Sequence, residues 1–466
     1  MILKNFLFLN IRSEKNIIRI FKNELEHSKL VFNGSSGLLA VSGGVDSVVM
    51  AHLFLSFKKK FKLNLAIVHL NHCSRNGDSD QDESFVRQLA DSIDVPFFSE
   101  RWESHQESNF EENARKKRYA FFESKRSEMN YDWISTAHQA NDQSETILMR
   151  LINGSSYRGL LGISKEKGKL FRPLLGFSKQ ELINYSKVNG LRFRYDSTND
   201  DNYYDRNRIR NTIIPKIEII NPNFNETVVR TIRNFNEINC LIEEQVRNVY
   251  SKLVSISEEG YFKINCKGLK NIPLLIQKEL IRAIANCDEE IWRGYIWDEL
   301  HNFLLYSSTG NILKISNKIR ILKDRDYFLI REISTAENSS HIFPKDSFPP
   351  FQIDFSRFSF SMAFAKQEIH FSNDPTIEFI NYNRLKGSLL LRKWKEGDRM
   401  IPLGMKNQKK ISDILIDEKI NRFNKEDQYV LTSNDEIVWL CGLRLDDRFK
   451  VSDSTSSVVK INWFKK

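Results

Sequence analysis

Leu38-Leu39-Ala40-Val41-Ser42-Gly43-Gly44-Val45-Asp46-Ser47 is the stretch on which the fold turns. Four consecutive apolar residues read as a strand buried on both faces, since a parallel strand covered by helices has no solvent side. Two glycines follow, and Val45 to Phe57 then has helical spacing. Strand, glycine turn and helix in that order aim successive backbone N–H groups into one concavity at a helix N-terminus, an arrangement that binds phosphate. Ser42, Gly43, Gly44, Val45, Asp46 and Ser47 are therefore the candidate nucleotide site. Both glycines are expected where the backbone approaches an anion closely and takes positive φ. Ser42 and Ser47 offer hydroxyl donors, and Asp46 is placed to hold Mg²⁺ on the phosphates. The loop contains no lysine, so it is not the G-x-x-x-x-G-K-S/T loop of the common nucleotide hydrolases. The bland alternative is a tight turn with an Asp-Ser helix cap. Against it, five fixed letters at ordinary residue frequencies recur by chance about once per million positions.

Outward from the loop, short apolar runs alternate with helical periodicity. Leu63 to Leu70, Val95 to Ser99 and Trp133 to Ala137 read as further strands, and Asp80 to Ile93, Phe110 to Met129 and Asp142 to about Ile152 as helices. That alternation predicts an α/β domain, a parallel sheet with helices on both faces. Ligands in such sheets sit beyond the carboxyl ends of the strands. Three loops leave those ends, Ser42–Ser47, His69–Arg75 and His138–Glu145, and they are the most polar segments of the first half.

The 466 residues exceed one ordinary domain. The reading is an N-terminal helical extension over 1–33, with Met1 to Asn10 joining a leading helix, and a catalytic domain over 34–215. A mostly helical middle domain over 216–334, a linker over 335–377 and a small α+β domain over 378–466 follow. No apolar run reaches membrane-spanning length, and Met1 to Asn10 lacks the basic start and cleavage site of a signal peptide. The five cysteines, Cys73, Cys240, Cys266, Cys287 and Cys441, form no C-x-x-C pair. That argues against a zinc or iron–sulfur site and for a reducing, cytoplasmic setting. A net charge of +10 is compatible with a nucleic-acid partner without demanding one.

The Ser42–Ser47 loop resembles the signature of the N-type ATP pyrophosphatases, or PP-loop superfamily, which split ATP between its α and β phosphates. Further segments narrow the resemblance to the tRNA(Ile)-lysidine synthetase family. They are Val68 to Arg75, Asn109 to Arg115 with Arg118-Tyr119, and Thr136-Ala137-His138-Gln139-Ala140-Asn141-Asp142-Gln143-Ser144-Glu145-Thr146. Arg172-Pro173-Leu174-Leu175, Tyr195 to Asn199, Arg206 to Arg210 and Arg392 to Arg399 continue the set in order. The family usually has Gly-Leu at Cys73-Ser74 and a further Asp at Asn141.

The resemblance implies an adenine nucleotide alpha hydrolase-like fold and, as substrates, ATP with Mg²⁺, L-lysine and the CAU-anticodon tRNA(Ile). AMP transfer to the C2 oxygen of the wobble cytidine makes that oxygen a leaving group, and the lysine ε-amine then attacks C2. At pH 7 only about one such amine in a few thousand is neutral, so a placed base would help. Asp142 is the candidate for gripping the amine and accepting its proton. His138 is the candidate contact to nucleotide or metal, and Glu145, three residues on along the same helix, could share lysine or metal binding. Arg115, Arg206 and Arg210 are candidate RNA contacts, and Lys406, Lys409 and Lys410 a basic patch for tRNA. A helix-capping His138 and a solvated Glu145 are the plain alternatives. Cys73 reads as an inert filler. A homodimer stays open, as do two other functions: a tRNA cytidine thiolase, and an RNA-binding protein with an inactive loop.

Overall fold

The computed structural model describes residues 13–73, 78–102, 110–195, 205–285, 294–332, 340–343, 349–355, 358–365 and 374–465. Met1 to Asn10, Ser74-Arg75, Asn109, Asp196 to Asn199 and Cys287 lie outside them. The chain divides into two compact units, Met1–Glu244 and Gln245–Lys466.

The first unit begins with α1 (Glu14–Glu26), which buries Ile17, Phe21 and Leu25 at helical spacing. Then come β1 (Ser36–Ala40), α2 (Val45–Lys58), β2 (Asn64–Asn71), α3 (Asp78–Ser92) and β3 (Phe97–Arg101). After α4 (Phe110–Glu128), β4 (Trp133–Ser135) and α5 (Ala140–Ile152), a hairpin of β5 (Glu166–Lys167) and β6 (Leu170–Phe171) leads to α6 (Lys179–Val188). Six strands form one sheet in the order β3-β2-β1-β4-β6-β5. All its pairs are parallel except the antiparallel edge strand β5. The expected parallel sheet is thus present, and the apolar run at Leu38–Val41 follows from it. Leu39, Leu65 and Ile67 face a core with α1, α2, α3 and α6, whereas Leu38, Ala66 and Val68 face Phe121 and Phe122 of α4. A strand covered on both faces has no use for alternation.

Downstream, α7 (Asp205–Arg208) runs through a single π turn at Ile209–Ile213 into α8 (Ile214–Ile220). Next comes α9 (Phe224–Leu253), which carries the boundary between the units.

The second unit corrects two expectations. Helices take up most of 216–334, as expected, but from Val254 on, besides the helices Cys266–Lys270, Leu274–Ala285 and Gly294–Tyr306, the chain also forms a five-stranded sheet that was not expected. Its strands are only three to six residues long, as at Ile319–Asp324, too short to display a period of two against neighbouring helices. Nor is 335–377 a linker. His341–Phe343 pairs with Leu389–Leu391, and Phe351–Asp354 and Phe358–Phe364 pair in a sheet with Val458–Lys465. Ser, Pro and Asn there mark turns between strands whose partners lie far along the chain. Strands expected at 389–391, 429–431 and 437–440 are present, with helices Ile411–Asp417 and Arg422–Glu426 between them.

Candidate active site

The sheet is wound outward from β1, with β2 and β3 on one side and β4 and β6 on the other. The crevice at the carboxyl ends of β1 and β4 is therefore the switch point at which α/β sheets bind ligands. Leu39 pairs with Ser135, so the loop leaving β1 and the loop leaving β4 open into the same crevice. Sequence reasoning named both segments; the strand order makes them neighbours.

Within the first loop, Gly43 has φ +96° and requires glycine. Gly44, the N-cap of α2, has φ −73°, against expectation. A Cβ there would meet nothing nearer than Ser42 Oγ at 3.7 Å, so the second glycine clears space and relieves no strain. Ser47 Oγ donates to the Gly44 carbonyl at 2.8 Å and accepts from Ser42 N at 3.2 Å. Its proton shapes the loop, where a phosphate donor was expected. The unpaired N–H groups of the first turn of α2 face the ligand position. Arg194 N donates to Gly43 O at 2.9 Å, and its guanidinium binds Asp82 and Gln81 of α3, strapping the loop from outside. His69 Nδ1 bonds the Val41 carbonyl at 2.8 Å.

Asp46 does not stand alone. Lys179 Nζ lies 2.9 Å and 2.8 Å from its two oxygens. Lys179 is the first residue of α6, whose start is set by a Ser178–Glu181 capping box, and its main-chain N donates to Asn141 Oδ1 at 3.2 Å. Burial holds the Asp46 carboxyl above its ordinary value; Lys179 opposes the shift and Asp142 adds to it. Asp46 and Asp142 thus feel one another electrostatically, and carboxylate oxygens such as theirs are the hard donors that Mg²⁺ prefers.

The second loop ends in α5, capped by Gln139. Gln139 Oε1 accepts from Asn141 N at 2.7 Å, and Asp142 Oδ2 accepts from Gln139 N at 2.9 Å. Asp142 Oδ1 takes Arg206 Nη2 at 3.1 Å. Glu145, 1% exposed, accepts Arg206 Nε at 2.7 Å, Arg210 Nε at 2.6 Å and Arg210 Nη2 at 3.0 Å. Three expectations change here. Glu145 is neither a solvated charge nor an open ligand, because two guanidinium groups hold its carboxylate. Arg206 and Arg210, expected as RNA contacts, both bond that carboxylate while keeping about a third of their side chains exposed. Burial works against both charges, but Glu145 and Asp142 more than offset it and hold them above the ordinary arginine value.

His138 bonds Thr136 Oγ1 through Nδ1 at 3.0 Å. Burial first, then Arg172, Arg206, Arg115 and Arg118, push its imidazole down to about 3. It is neutral at physiological pH, with a basic wall around it. Arg118 Nη2 lies 3.0 Å from His72 Nε2, and Arg115 is exposed, its guanidinium 5.7 Å from the Tyr119 ring centre. Cys73 donates its main-chain N–H to Asn71 Oδ1 at 2.9 Å and is not disulfide-bonded.

Lys179, Asn141 and Arg194 are what sequence reasoning missed at this site. The capping box was readable and marks where α6 starts; nothing local says that α6 starts beside Asp46. In the second unit, Arg392 pairs with Asp398 and Trp394 Nε1 donates to Lys425 O at 2.6 Å, so that matched segment is held together internally.

A glycine loop at the end of the central strand, backed by a helix N-terminus and facing a capped acidic helix end, defines an ATP-using PP-loop enzyme. The PP-loop domain model matches residues 9–217, and the TilS substrate C-terminal domain model matches 389–463. The chain belongs to the tRNA(Ile)-lysidine synthase family and is an ATP-dependent ligase. It is 30% identical over 460 residues to the tRNA(Ile)-lysidine synthase of Parabacteroides distasonis, covering 96% of this chain and all of the relative. It is 29% identical over 463 residues to that of Caldanaerobacter subterraneus, covering 95% and 96% of the two chains. Among the described residues no helix is long and apolar enough to cross a membrane.

Proposed function

We propose that the chain joins the ε-amine of L-lysine to C2 of the wobble cytidine in a CAU-anticodon tRNA(Ile), in the cytoplasm, as a monomer or a homodimer. The observation that carries this reading is the convergence of the Ser42–Ser47 loop and the capped end of α5 at one switch point. ATP lies with its departing pyrophosphate on the loop N–H groups, and its α-phosphate faces the cytidine O2. Asp46, with Asp142 nearby, would hold Mg²⁺, which supplies charge neutralisation on the phosphates.

AMP transfer to O2 breaks the bond between the α and β phosphates and frees pyrophosphate. Attack of the neutral lysine amine on C2 then breaks the C2–O bond and frees AMP, and the amine's proton passes to solvent. Asp142 already accepts a hydrogen bond at each oxygen, so it suits holding an ammonium better than taking a proton. The Arg206–Glu145–Arg210 clamp keeps it aimed. His138, neutral, offers a hydrogen bond to nucleotide or cytidine without adding charge. Arg115 and the Lys406, Lys409, Lys410 patch grip RNA phosphates; Lys409 is paired with Asp417.

ATP, labelled lysine and a CAU-anticodon tRNA(Ile) together should release pyrophosphate and place the label in the tRNA. Pyrophosphate release without label would sink lysine ligation, and a sulfur donor replacing lysine would favour thiolation. No release at all from folded protein would sink the adenylation step.

A further inference from the structure

The Ser42–Ser47 loop meets a polyphosphate with no cation of its own and with two carboxylates, Asp46 and Asp142, close by. Of the nearby guanidinium groups, Arg206 and Arg210 are both bonded to Glu145, and Arg115, Arg118 and Arg172 act on His138. Lys179 is differently placed. It reaches the loop from α6, held by its own main chain on Asn141, and among the described residues its ammonium bonds Asp46 alone. The pair is not sealed away: the Lys179 side chain is 42% exposed and that of Asp46 24%. Ion pairs that open to water are weak, so this one exchanges readily.

We propose that Lys179 is the phosphate-binding lysine the loop lacks, supplied from a separate helix and kept at the loop by Asp46 until nucleotide binds. On binding, Asp46 turns to Mg²⁺ and the ammonium of Lys179 turns to the pyrophosphate oxygens. Each anion then has a cation: the Asp46 carboxylate keeps one, and the leaving group gains one. Such a lysine acts as a point charge on a flexible stem, which suits a group that changes partner. Asn141 becomes a positioning residue, because its side chain fixes the first turn of α6. The inference rests on Ser42–Ser47 being the ATP loop.

Metal-free binding separates a direct phosphate contact from mere neutralisation of Asp46. In EDTA, inorganic pyrophosphate and ATP are titrated calorimetrically into the full-length protein and into Asp46→Asn, Asp46→Asn/Lys179→Met and Asp46→Asn/Lys179→Arg. With residue 46 uncharged, Lys179 has nothing left to neutralise. Removing it should still weaken pyrophosphate binding about ten-fold, the size of one charge-assisted hydrogen bond. The arginine variant should stay within about three-fold of Asp46→Asn, which also reports that α6 is intact. Equal affinities for Asp46→Asn and Asp46→Asn/Lys179→Met would overturn the proposal and leave Lys179 a neutralising partner. If the unsubstituted protein bound neither ligand, with or without Mg²⁺, the loop reading itself would fall, a different result from that one.

Discussion

Glu145 takes three guanidinium hydrogen bonds in a nearly sealed position, so its charge holds Arg206 and Arg210 together. Neutralising it leaves Arg206 and Arg210 facing each other. Glu145→Gln should destabilise the protein by about 3–5 kcal/mol, toward the lower end because both arginines are about one-third exposed. Denaturant melts test this, and an unchanged midpoint would remove the clamp from the account. Asp142 should behave differently. Asp142→Asn keeps the cap geometry, because an amide oxygen still accepts from Gln139 N, but loses the anion. Lysine incorporation should fall by at least about 100-fold, on the scale of losing an acid–base or charge contact, with ATP binding far less affected. Near-normal single-turnover incorporation would take Asp142 out of the chemistry. His138 gives a pH test. Its folded value of about 3 lies below the ordinary 6.5, so between the two the unfolded chain binds the proton more readily. Stability from neutral His138 is complete above pH 6.5 and is lost as pH falls toward 3. His138→Gln should flatten the fall in Tm between about pH 6.5 and 4.5; a parallel slope would contradict the half-buried neutral imidazole.

At the scale of elements, β1 and its flanking strands hold the crevice in register. Gly37 on β1 pairs with Trp133 on β4, whose buried indole donates from Nε1 to Ser35 Oγ at 3.1 Å and stacks on Phe54 with centroids 5.2 Å apart. A Cβ at residue 37 would fall 2.1 Å from a Trp133 ring carbon, with no room behind it. Gly37→Ala should cost about 1–3 kcal/mol or more by overpacking and lower ATP affinity with it. A variant as stable as the parent would mean that the indole can move aside. This glycine had no functional signal in the sequence, unlike Gly43, because its neighbour arrives from another strand. Of the first unit, β1, β2 and the long helices were readable because they repeat their own pattern, whereas β5 and β6, two residues each, were not. The strands at 254–332 and 341–364, three to seven residues long, were not read either, since most are too short to show a period of two and their pairing is non-local.

For the whole molecule, a net charge of +10 becomes meaningful beside the family assignment. tRNA affinity should fall steeply with salt, because bound phosphates release counterions in proportion to the contacts made. Replacing Lys406 and Lys410 by Glu should raise the KM for tRNA and shallow the salt slope by roughly one per lost contact, with KM for lysine unchanged. An unaltered slope would place the RNA elsewhere. The sequence by itself determined the α/β class, the nucleotide loop, the acidic helix that begins near Asp142 and the company of motifs that points to the family. Each of these is written in residues close together, where local backbone preference and hydrophobic period act. Only the tertiary structure decided the partners of the charges: Lys179 on Asp46, Arg206 and Arg210 on Glu145, and the arginines around His138. A charged side chain in sequence carries no record of what it faces, and burial leaves it stable only where the fold brings the opposite charge.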